Sequence, residues 1–166
     1  MTLFEPIFAA LERAGVRYVT VGGVAVVLHG HARLTADLDL VVDLAPRGAA
    51  DAIDALTAIG FRPRLPVEAS GFADPAVRER WITQHGMRVF SMWDPDDPLR
   101  SVDLFVEYPI DFEELWARSV VVDIDGTPVR VASIADLIRL KRIADRPVDL
   151  EDIAALEAIE EREQDG

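Results

Sequence analysis

Three aspartates at strand-like positions are the residues of this chain best suited to chemistry. Asp37 and Asp39 stand two apart in the run Asp37-Leu38-Asp39-Leu40, and Asp103 lies between two apolar residues further along. Because strand side chains alternate between faces, we expect Asp37 and Asp39 on one face and the leucines on the other. Neighbouring carboxylates repel each other unless a cation lies between them. Mg²⁺, which prefers carboxylate and phosphate oxygens, is the cation that we expect here.

Asp103 can contribute to this metal site only if its strand lies beside the strand of Asp37 and Asp39. In that case three carboxylates converge, and the site could hold two Mg²⁺ ions that stabilise the attacking and leaving oxygens of an in-line displacement. Each motif alone has a simpler explanation. Asp-x-Asp is also found on the wet face of an edge strand, and a single aspartate such as Asp103 is common on any solvated strand.

The glycine pair Gly22-Gly23 lies between a predicted strand and a predicted helix. Glycine allows close approach of the backbone to a ligand, and the N–H groups at a helix N-terminus bind phosphate oxygens. The pair is therefore a candidate phosphate cradle. The alternative is a tight turn without a ligand, since the spacing matches neither the dinucleotide fingerprint nor the Walker loop.

Lys141 is predicted to point into the protein. On the helix that Ser133 opens, it lies seven residues after apolar Ile134 and so shares the inward face. A buried lysine needs an anionic partner. The candidates are a bound triphosphate, the acidic site, or an ion pair with Asp149 or Asp152 of the next helix.

Arg33 and Thr35 come just before the paired aspartates. Arg33 could brace a phosphate or pair with a carboxylate, and Thr35 could orient Asp37. The alternative is that both residues only shape the local loop. The three histidines are not spaced as a metal-binding pair on any predicted helix.

Periodicity and turn residues predict an α/β domain with a mixed, twisted sheet flanked by helices. A single domain over 1–166 is expected, in which residues 133–161 form either an integral part or a small C-terminal helical subdomain. Predicted helices cover 1–14, 24–28, 48–59, 75–81, 111–117, 133–145 and 149–161. Predicted strands cover 16–21, 38–42, 61–65, 87–93, 101–107, 119–124 and 128–132, with loops at 66–75 and 94–98.

Composition narrows the function classes. The chain has 166 residues, half of them hydrophobic, a formal net charge of -13 and no cysteine. Disulfides and thiolate sites are excluded, and no apolar run approaches the ~20 residues of a membrane span, so we expect a cytoplasmic protein. The acidic balance argues against a broad nucleic-acid footprint, although a local basic cluster could still dock one RNA end.

The motifs together resemble a known signature. Val21-Gly22-Gly23 followed by a spacer and Asp37-Leu38-Asp39-Leu40 is similar to that of the DNA polymerase beta-like nucleotidyltransferase superfamily. The thirteen-residue spacer is at the long end of the expected range. Gly30 to Asp39 resembles the Gly-x-x-Arg-x-Thr-x-Asp-hydrophobic-Asp form of bacterial nucleotidyltransferases related to abortive-infection and toxin–antitoxin systems. The resemblance covers about Tyr18 to Val106, and the segment 133–141 is also similar.

The resemblance implies the minimal nucleotidyltransferase fold and a role for each motif. Gly22-Gly23 would hold the triphosphate, and Asp37 and Asp39 would bind Mg²⁺. Asp103 would complete the metal site and could act as general base on an acceptor hydroxyl. Lys141 would contact a nucleotide phosphate.

The implied reaction moves a nucleoside monophosphate from an NTP such as ATP to an acceptor hydroxyl, with release of pyrophosphate. The acceptor could be a tRNA 3′ end, a protein side chain or a small molecule such as an aminoglycoside-type alcohol. A second hypothesis is a non-catalytic, antitoxin-like module that binds a cognate protein partner on the same fold. A metal-dependent phosphodiesterase is a third, disfavoured because no His-Asp pair has ligand spacing.

Overall fold

The computed structural model describes residues 3–166, so Met1 and Thr2 of the first predicted helix lie outside the described residues. The helices are α1 (Glu5–Arg13), α2 (Gly22–Leu28), α3 (Pro46–Ala58), α4 (Pro75–His85), α5 (Phe112–Arg118), α6 (Ile134–Ala144) and α7 (Pro147–Asp165). The strands are β1 (Tyr18–Val21), β2 (Leu38–Val42), β3 (Arg62–Pro63), β4 (Val89–Asp94), β5 (Asp97–Phe105), β6 (Val120–Ile124) and β7 (Thr127–Val131), and a short 3₁₀ helix covers Ala69–Ala73.

The seven strands form one mixed sheet in the order β3-β4-β5-β2-β1-β7-β6. Strand β2 lies antiparallel to β1 and parallel to β5. The hairpin β4–β5 extends the sheet on one side, and β7 joins β1 in parallel on the other. The predicted mixed sheet flanked by helices is confirmed, and the strand that carries Asp103 does lie beside the strand that carries Asp39.

The central strands are held by a continuous apolar core. Leu38 and Leu40 of β2 and Leu104 of β5 are fully buried between the helices that cover the sheet. Leu137 of α6 and Leu156 of α7 belong to the same core cluster. The two C-terminal helices therefore share one apolar interior with the rest of the chain, and α6 packs against α7 and α2.

Several predicted boundaries are displaced, each for a local reason. Helix α3 begins at Pro46 rather than residue 48, since proline is well suited to the first helical turn. Helix α4 continues past residue 81 to His85, where Gly86 in the left-handed region (φ +61°) ends it. The strand predicted over 61–65 shrinks to Arg62–Pro63, and the loop predicted over 94–98 is reduced to a turn at Pro95 and Asp96.

The structure confirms two predicted local features, a helix cap and a tight turn. The Ser133 side chain accepts a hydrogen bond from the Asp136 backbone N–H at 3.1 Å, which fixes the start of α6. Asp125 and Gly126, both with positive φ, form the turn between β6 and β7. Within residues 3–166, no helix is both long enough and apolar enough to cross a membrane.

Candidate active site

The pairing of β2 with β5 brings two of the three aspartates into direct register. Asp39 lies opposite Asp103 in the parallel ladder, and Asp37 lies just before β2. All three side chains are partly buried, whereas Leu38 and Leu40 are fully buried, as strand alternation predicts. The structure therefore places Asp37, Asp39 and Asp103 at one junction of the sheet.

The electrostatics of this junction favour a bound cation. Burial, together with the charges of Asp103 and Asp37, raises the pKa of Asp39 to about 7. Burial and the charge of Asp37 also raise the pKa of Asp103. The charge of Asp37 thus makes ionisation of both Asp39 and Asp103 harder, and a cation placed beside them would relieve this repulsion.

Ser91 is a site residue that the sequence did not reveal. It lies opposite Asp103 on β4, and its hydroxyl donates a hydrogen bond to Asp103 Oδ1 at 2.6 Å. This bond lowers the pKa of Asp103 and so opposes the effect of burial. A serine two residues before Trp93 carries no functional signal by itself, because its role depends on the register between β4 and β5.

Gly22 is required by the close packing of β1, α2 and β2. Its φ of +69° lies in the left-handed region, and a Cβ at this position would collide with the Asp39 carboxylate. The preceding residue, Val21, is the register partner of Asp39. The glycine therefore lets the N-terminus of α2 approach the carboxylate directly.

Gly23 makes a similar close approach to the segment before β2. A Cβ there would collide with the Arg33 guanidinium and lie 2.8 Å from Thr35 Oγ1. Thr35 in turn donates a hydrogen bond to the Asp37 carbonyl oxygen at 3.3 Å. Odd-numbered residues from Arg33 to Asp39 are partly buried while Ala36 and Leu34 are exposed, so strand-like alternation extends into this irregular segment.

The C-terminal helices contribute a buried cluster of opposite charges. Lys141 Nζ lies 2.8 Å from Asp152 Oδ2 and 3.4 Å from Asp149 Oδ1, and all three side chains are almost fully buried. Arg33 Nε reaches the same Asp152 at 3.3 Å, and Arg146 binds Asp149. Neither Asp152 oxygen receives a well-aligned hydrogen bond, so charge attraction rather than hydrogen bonding holds it.

This cluster shows which side chains of the protein pair with Lys141, and its predicted contact with a nucleotide phosphate stays a prediction. The inward orientation is confirmed, and the partners in this structure are the aspartates of α7 rather than the acidic junction. Because Arg33 contacts Asp152 and also lies against Gly23, the cluster is joined to the glycine turn by direct contacts. Arg146 was missed, although its position three residues before Asp149 at the start of α7 could have suggested an ion pair.

The junction supplies oxygen donors of the kind that Mg²⁺ takes, without enclosing an ion by protein alone. Among residues 3–166, no group of three or more His, Asp or Glu side chains is placed so that together they could hold a metal ion, so the predicted three-aspartate metal site is not assembled here. Mg²⁺ commonly binds through one or two carboxylates and completes its shell with water and substrate phosphates. The residues present fit that mode, and occupancy by two ions stays a prediction.

Two cavities of the fold lie away from the three aspartates. One borders Tyr18 and Trp116, and a more open one borders Val120 and Ile134 beside the edge strand β6. Neither is lined by the three aspartates, which lie at a partly exposed surface. We place the candidate site at the aspartates because charge repulsion and close glycine packing meet there, whereas the cavity walls carry no comparable group of carboxylates.

Comparison with known proteins identifies the fold. No protein-family model and no curated protein sequence matches the chain. Solved structures do match. The crystal structure of the lincosamide antibiotic adenylyltransferase LnuA with lincomycin bound superposes with a TM-score of 0.64 at 16% identity, covering 95% of this chain and 96% of that one.

Two further structures give the same result. The solution structure of the antibiotic-resistance factor ANT(2'')-Ia matches with a TM-score of 0.60 at 17% identity, over 93% of this chain and 80% of that one. An antigenic nucleotidyltransferase-like protein from Paracoccidioides brasiliensis matches with a TM-score of 0.59 at 20% identity, over 93% and 73%. The predicted nucleotidyltransferase-like fold is confirmed.

Substitution of Gly22 by alanine is expected to destabilise the fold more than substitution of Gly15. The two glycines have nearly the same φ, +69° and +66°, but a Cβ on Gly15 meets nothing within 4 Å. Gly15→Ala should cost roughly 1–2 kcal/mol for its backbone conformation alone. Gly22→Ala adds the collision with Asp39, so urea unfolding should show a clearly larger loss, and equal losses would contradict the packing described.

Substitution of Asp39 by asparagine is expected to stabilise the metal-free protein at high pH. Folding raises the pKa of Asp39 from 3.8 to about 7, so its contribution to stability is present at low pH and is lost as the pH rises through about 7. At a pH near 8, Asp39→Asn should raise the free energy of unfolding by on the order of 2–4 kcal/mol. Thermal melts in chelator should show this gain shrink toward pH 5; a pH-independent gain would argue against a strained carboxylate.

Loss of one charge from the buried cluster is expected to be costly. Asp152→Asn leaves Arg33 without its carboxylate and Lys141 with only the longer contact to Asp149. Breaking a buried ion pair costs about 3–5 kcal/mol, measured by urea unfolding. The control is Glu157→Gln, which breaks an exposed pair with Arg142 and should cost less than about 1 kcal/mol. Comparable losses in both variants would contradict the cluster.

Proposed function

We propose that the protein is a Mg²⁺-dependent nucleotidyltransferase that moves a nucleoside monophosphate from an NTP to an acceptor hydroxyl. The observation that supports this most directly is the register of Asp39 with Asp103, with Gly22 packed against the Asp39 carboxylate. The nucleotidyltransferase-like fold supports it independently. The lincosamide antibiotic adenylyltransferase LnuA shares this fold at 16% identity, and a crystal structure of ANT(2")-Ia in complex with adenylyl-2"-tobramycin matches at 18% identity with a TM-score of 0.58. These two observations together support the proposal that the protein is an enzyme.

The glycine turn and the aspartates bind different parts of the magnesium-bound substrate. The triphosphate lies along Gly22-Gly23, where the absence of side chains and the free N–H groups of α2 accommodate phosphate oxygens. Arg33 and Thr35, which flank Gly23, border the same space. Asp37 and Asp39 would hold the magnesium, and its positive charge would neutralise the phosphate oxygens.

Asp103 is the proposed general base. Its carboxylate takes the proton of the acceptor hydroxyl while the oxygen forms a bond to the α-phosphorus. The bond between that phosphorus and the bridging oxygen breaks, and its electron pair leaves with pyrophosphate. Burial raises the pKa of Asp103, which makes its carboxylate a stronger base, and the hydrogen bond from Ser91 holds Oδ1 so that Oδ2 can face the acceptor.

A small molecule is the acceptor class that we favour. Two of the similar structures are described with lincomycin or adenylyl-2"-tobramycin bound. A chain with a net charge of -13 attracts cationic small molecules and repels RNA. A tRNA 3′ end or a protein side chain would need local basic or apolar contacts beyond the site described.

A toxin–antitoxin or abortive-infection role rests on the sequence resemblance of the segment 30–39. The same holds for ATP as the preferred nucleotide and for a cytoplasmic location. The non-catalytic, antitoxin-like module is the less favoured alternative, because a binding module has no need to crowd Asp37, Asp39 and Asp103 at one junction. A cognate protein partner remains part of that alternative.

The proposal predicts transfer of the α-phosphate label. Incubation with Mg²⁺ and each [α-³²P]NTP should label an acceptor from a panel of amino sugars, lincosamides, tRNA and protein, and a γ-label should appear only in pyrophosphate. Asp103→Asn should lower the rate by about 10²–10⁴-fold through loss of the base. Asp39→Asn should abolish transfer. Asp54→Asn, on the exposed face of α3, is the matched control and should keep full activity.

Two results would contradict this function. Label from the γ-phosphate on the acceptor would indicate a kinase rather than a nucleotidyltransferase. Full activity in Asp39→Asn would mean that any transfer takes place away from the β2–β5 junction.

A further inference from the structure

The sheet face that carries the aspartates is only partly covered on β4 and β5. Met92 and Leu104 of the opposite face are fully buried, whereas Ser91, Trp93 and Asp103 are partly exposed. Strand alternation assigns these two sets of side chains to opposite faces. The side chains around Asp103 are therefore available to a molecule that approaches the proposed base.

Strand register places one row of these side chains across the sheet. Asp39 pairs with Asp103, and Asp103 pairs with Ser91. The Arg64 backbone N–H donates a hydrogen bond to the Ser91 carbonyl oxygen at 3.0 Å, which continues the row past the end of β3. Neighbouring strands lie about 4.8 Å apart, so the backbone of Arg64 lies roughly 10 Å from that of Asp103.

A second row beside the first contains Trp93. Trp93 pairs with Ser101 on β5 and with Arg62 on β3, and it is the diagonal neighbour of Asp103. Paired residues of antiparallel strands share a face, and diagonal neighbours lie about 7–8 Å apart, which is within reach of a large aromatic side chain. The indole thus lies beside the proposed base on the same face of the sheet.

Two arginines without carboxylate partners flank this tryptophan. The Arg64 guanidinium lies over the Trp93 ring, 5.2 Å from its centroid, and Arg62 is the register partner of Trp93. Both arginines are exposed. Neither forms an ion pair with a carboxylate of residues 3–166, although the chain has 30 acidic and 17 basic residues. We call this group the Arg62–Arg64–Trp93 surface.

The chemistry of this surface suits a ring that carries an anionic group. A guanidinium offers parallel N–H donors that match a carboxylate or a phosphate, and an indole face packs against a ring. The whole chain has a net charge of -13, but charges beyond about 8 Å are largely screened at physiological salt. The two nearby arginines therefore decide which charge is bound here.

We propose that the Arg62–Arg64–Trp93 surface binds the acceptor, and that the acceptor is a small molecule whose hydroxylated ring carries a carboxylate or phosphate group. The inference rests on the proposed function and names the acceptor class and its binding residues. The ring packs on Trp93, and the anionic group accepts hydrogen bonds from Arg62 and Arg64. The separation of roughly 10 Å between the backbones of Arg64 and Asp103 lets the hydroxyl of the same molecule face the base.

The test is ligand-observed NMR titration, with Mg²⁺ present, of sugars that differ in charge: glucuronate, glucose 6-phosphate, glucose and glucosamine. The two anionic sugars should bind at least about 10-fold more tightly than glucose or glucosamine, as expected for hydrogen bonds to a charged group. Arg62→Ala/Arg64→Ala should remove this preference. Trp93→Ala should weaken binding of both anionic sugars, and Trp93→Phe, which keeps an aromatic face, should retain most of it.

Arg80→Ala is the matched control. Arg80 is also exposed and forms no ion pair within residues 3–166, but it lies on α4. Trp81 of the same helix stacks on Phe90, which belongs to the buried face of β4. Loss of Arg80 should therefore leave sugar binding unchanged. Thermal melts establish that each variant is folded.

Three results would overturn this inference. The first is equal affinity for charged and uncharged sugars, or no binding of either anionic sugar by the wild type. The second is an unchanged preference in Arg62→Ala/Arg64→Ala, which would mean that the anionic group binds elsewhere. The third is binding of an oligoribonucleotide but of neither anionic sugar, which would assign the surface to an RNA end. In each case the proposed function would stand if the wild type still transfers the α-label to an acceptor.

Discussion

The repulsion among three carboxylates at the β2–β5 junction is the constraint on which the rest of the site depends. Parallel pairing sets Asp39 opposite Asp103, and Asp37 adds a third charge beside them. Partial burial keeps water from screening these charges fully, which raises the pKa of Asp39 to about 7. Such a cluster favours uptake of positive charge; in the proposed function Mg²⁺ would supply that charge, and the triphosphate would supply further oxygen ligands for the ion.

The elements around the three aspartates fit this need for positive charge. Gly22 has no side chain, so α2 starts directly against Asp39, and Gly23 allows the same approach to Arg33. Asp149 and Asp152 of α7 contact three cations, Arg33, Lys141 and Arg146. Two carboxylates therefore face three positive charges, and one positive charge is in excess. The site therefore has an acidic half on the sheet and a basic half on α6 and α7, joined through the glycine turn.

Local sequence patterns predicted those parts of the site that depend on one element at a time. Alternation along a strand predicted that Asp39 lies on the face opposite the buried leucines, and helical periodicity predicted that Lys141 points inward. Ser91 could not be found in this way, because its role depends on a contact between two strands, whereas Arg146 pairs with Asp149 only three residues away and a local pattern could have indicated it. The strand register that brings Ser91 to Asp103 and the packing of α7 on α6 are tertiary properties, and no short-range pattern encodes them.

The most direct test of the central claim is calorimetric binding of each Mg²⁺-NTP to the wild type and to the double variant Asp37→Ala/Asp39→Ala. The account predicts metal-dependent binding of at least one nucleotide by the wild type and its loss in a double variant that remains folded. Equal binding by both proteins, or no binding of any NTP by the folded wild type, would contradict the assignment of the β2–β5 junction as a nucleotide site.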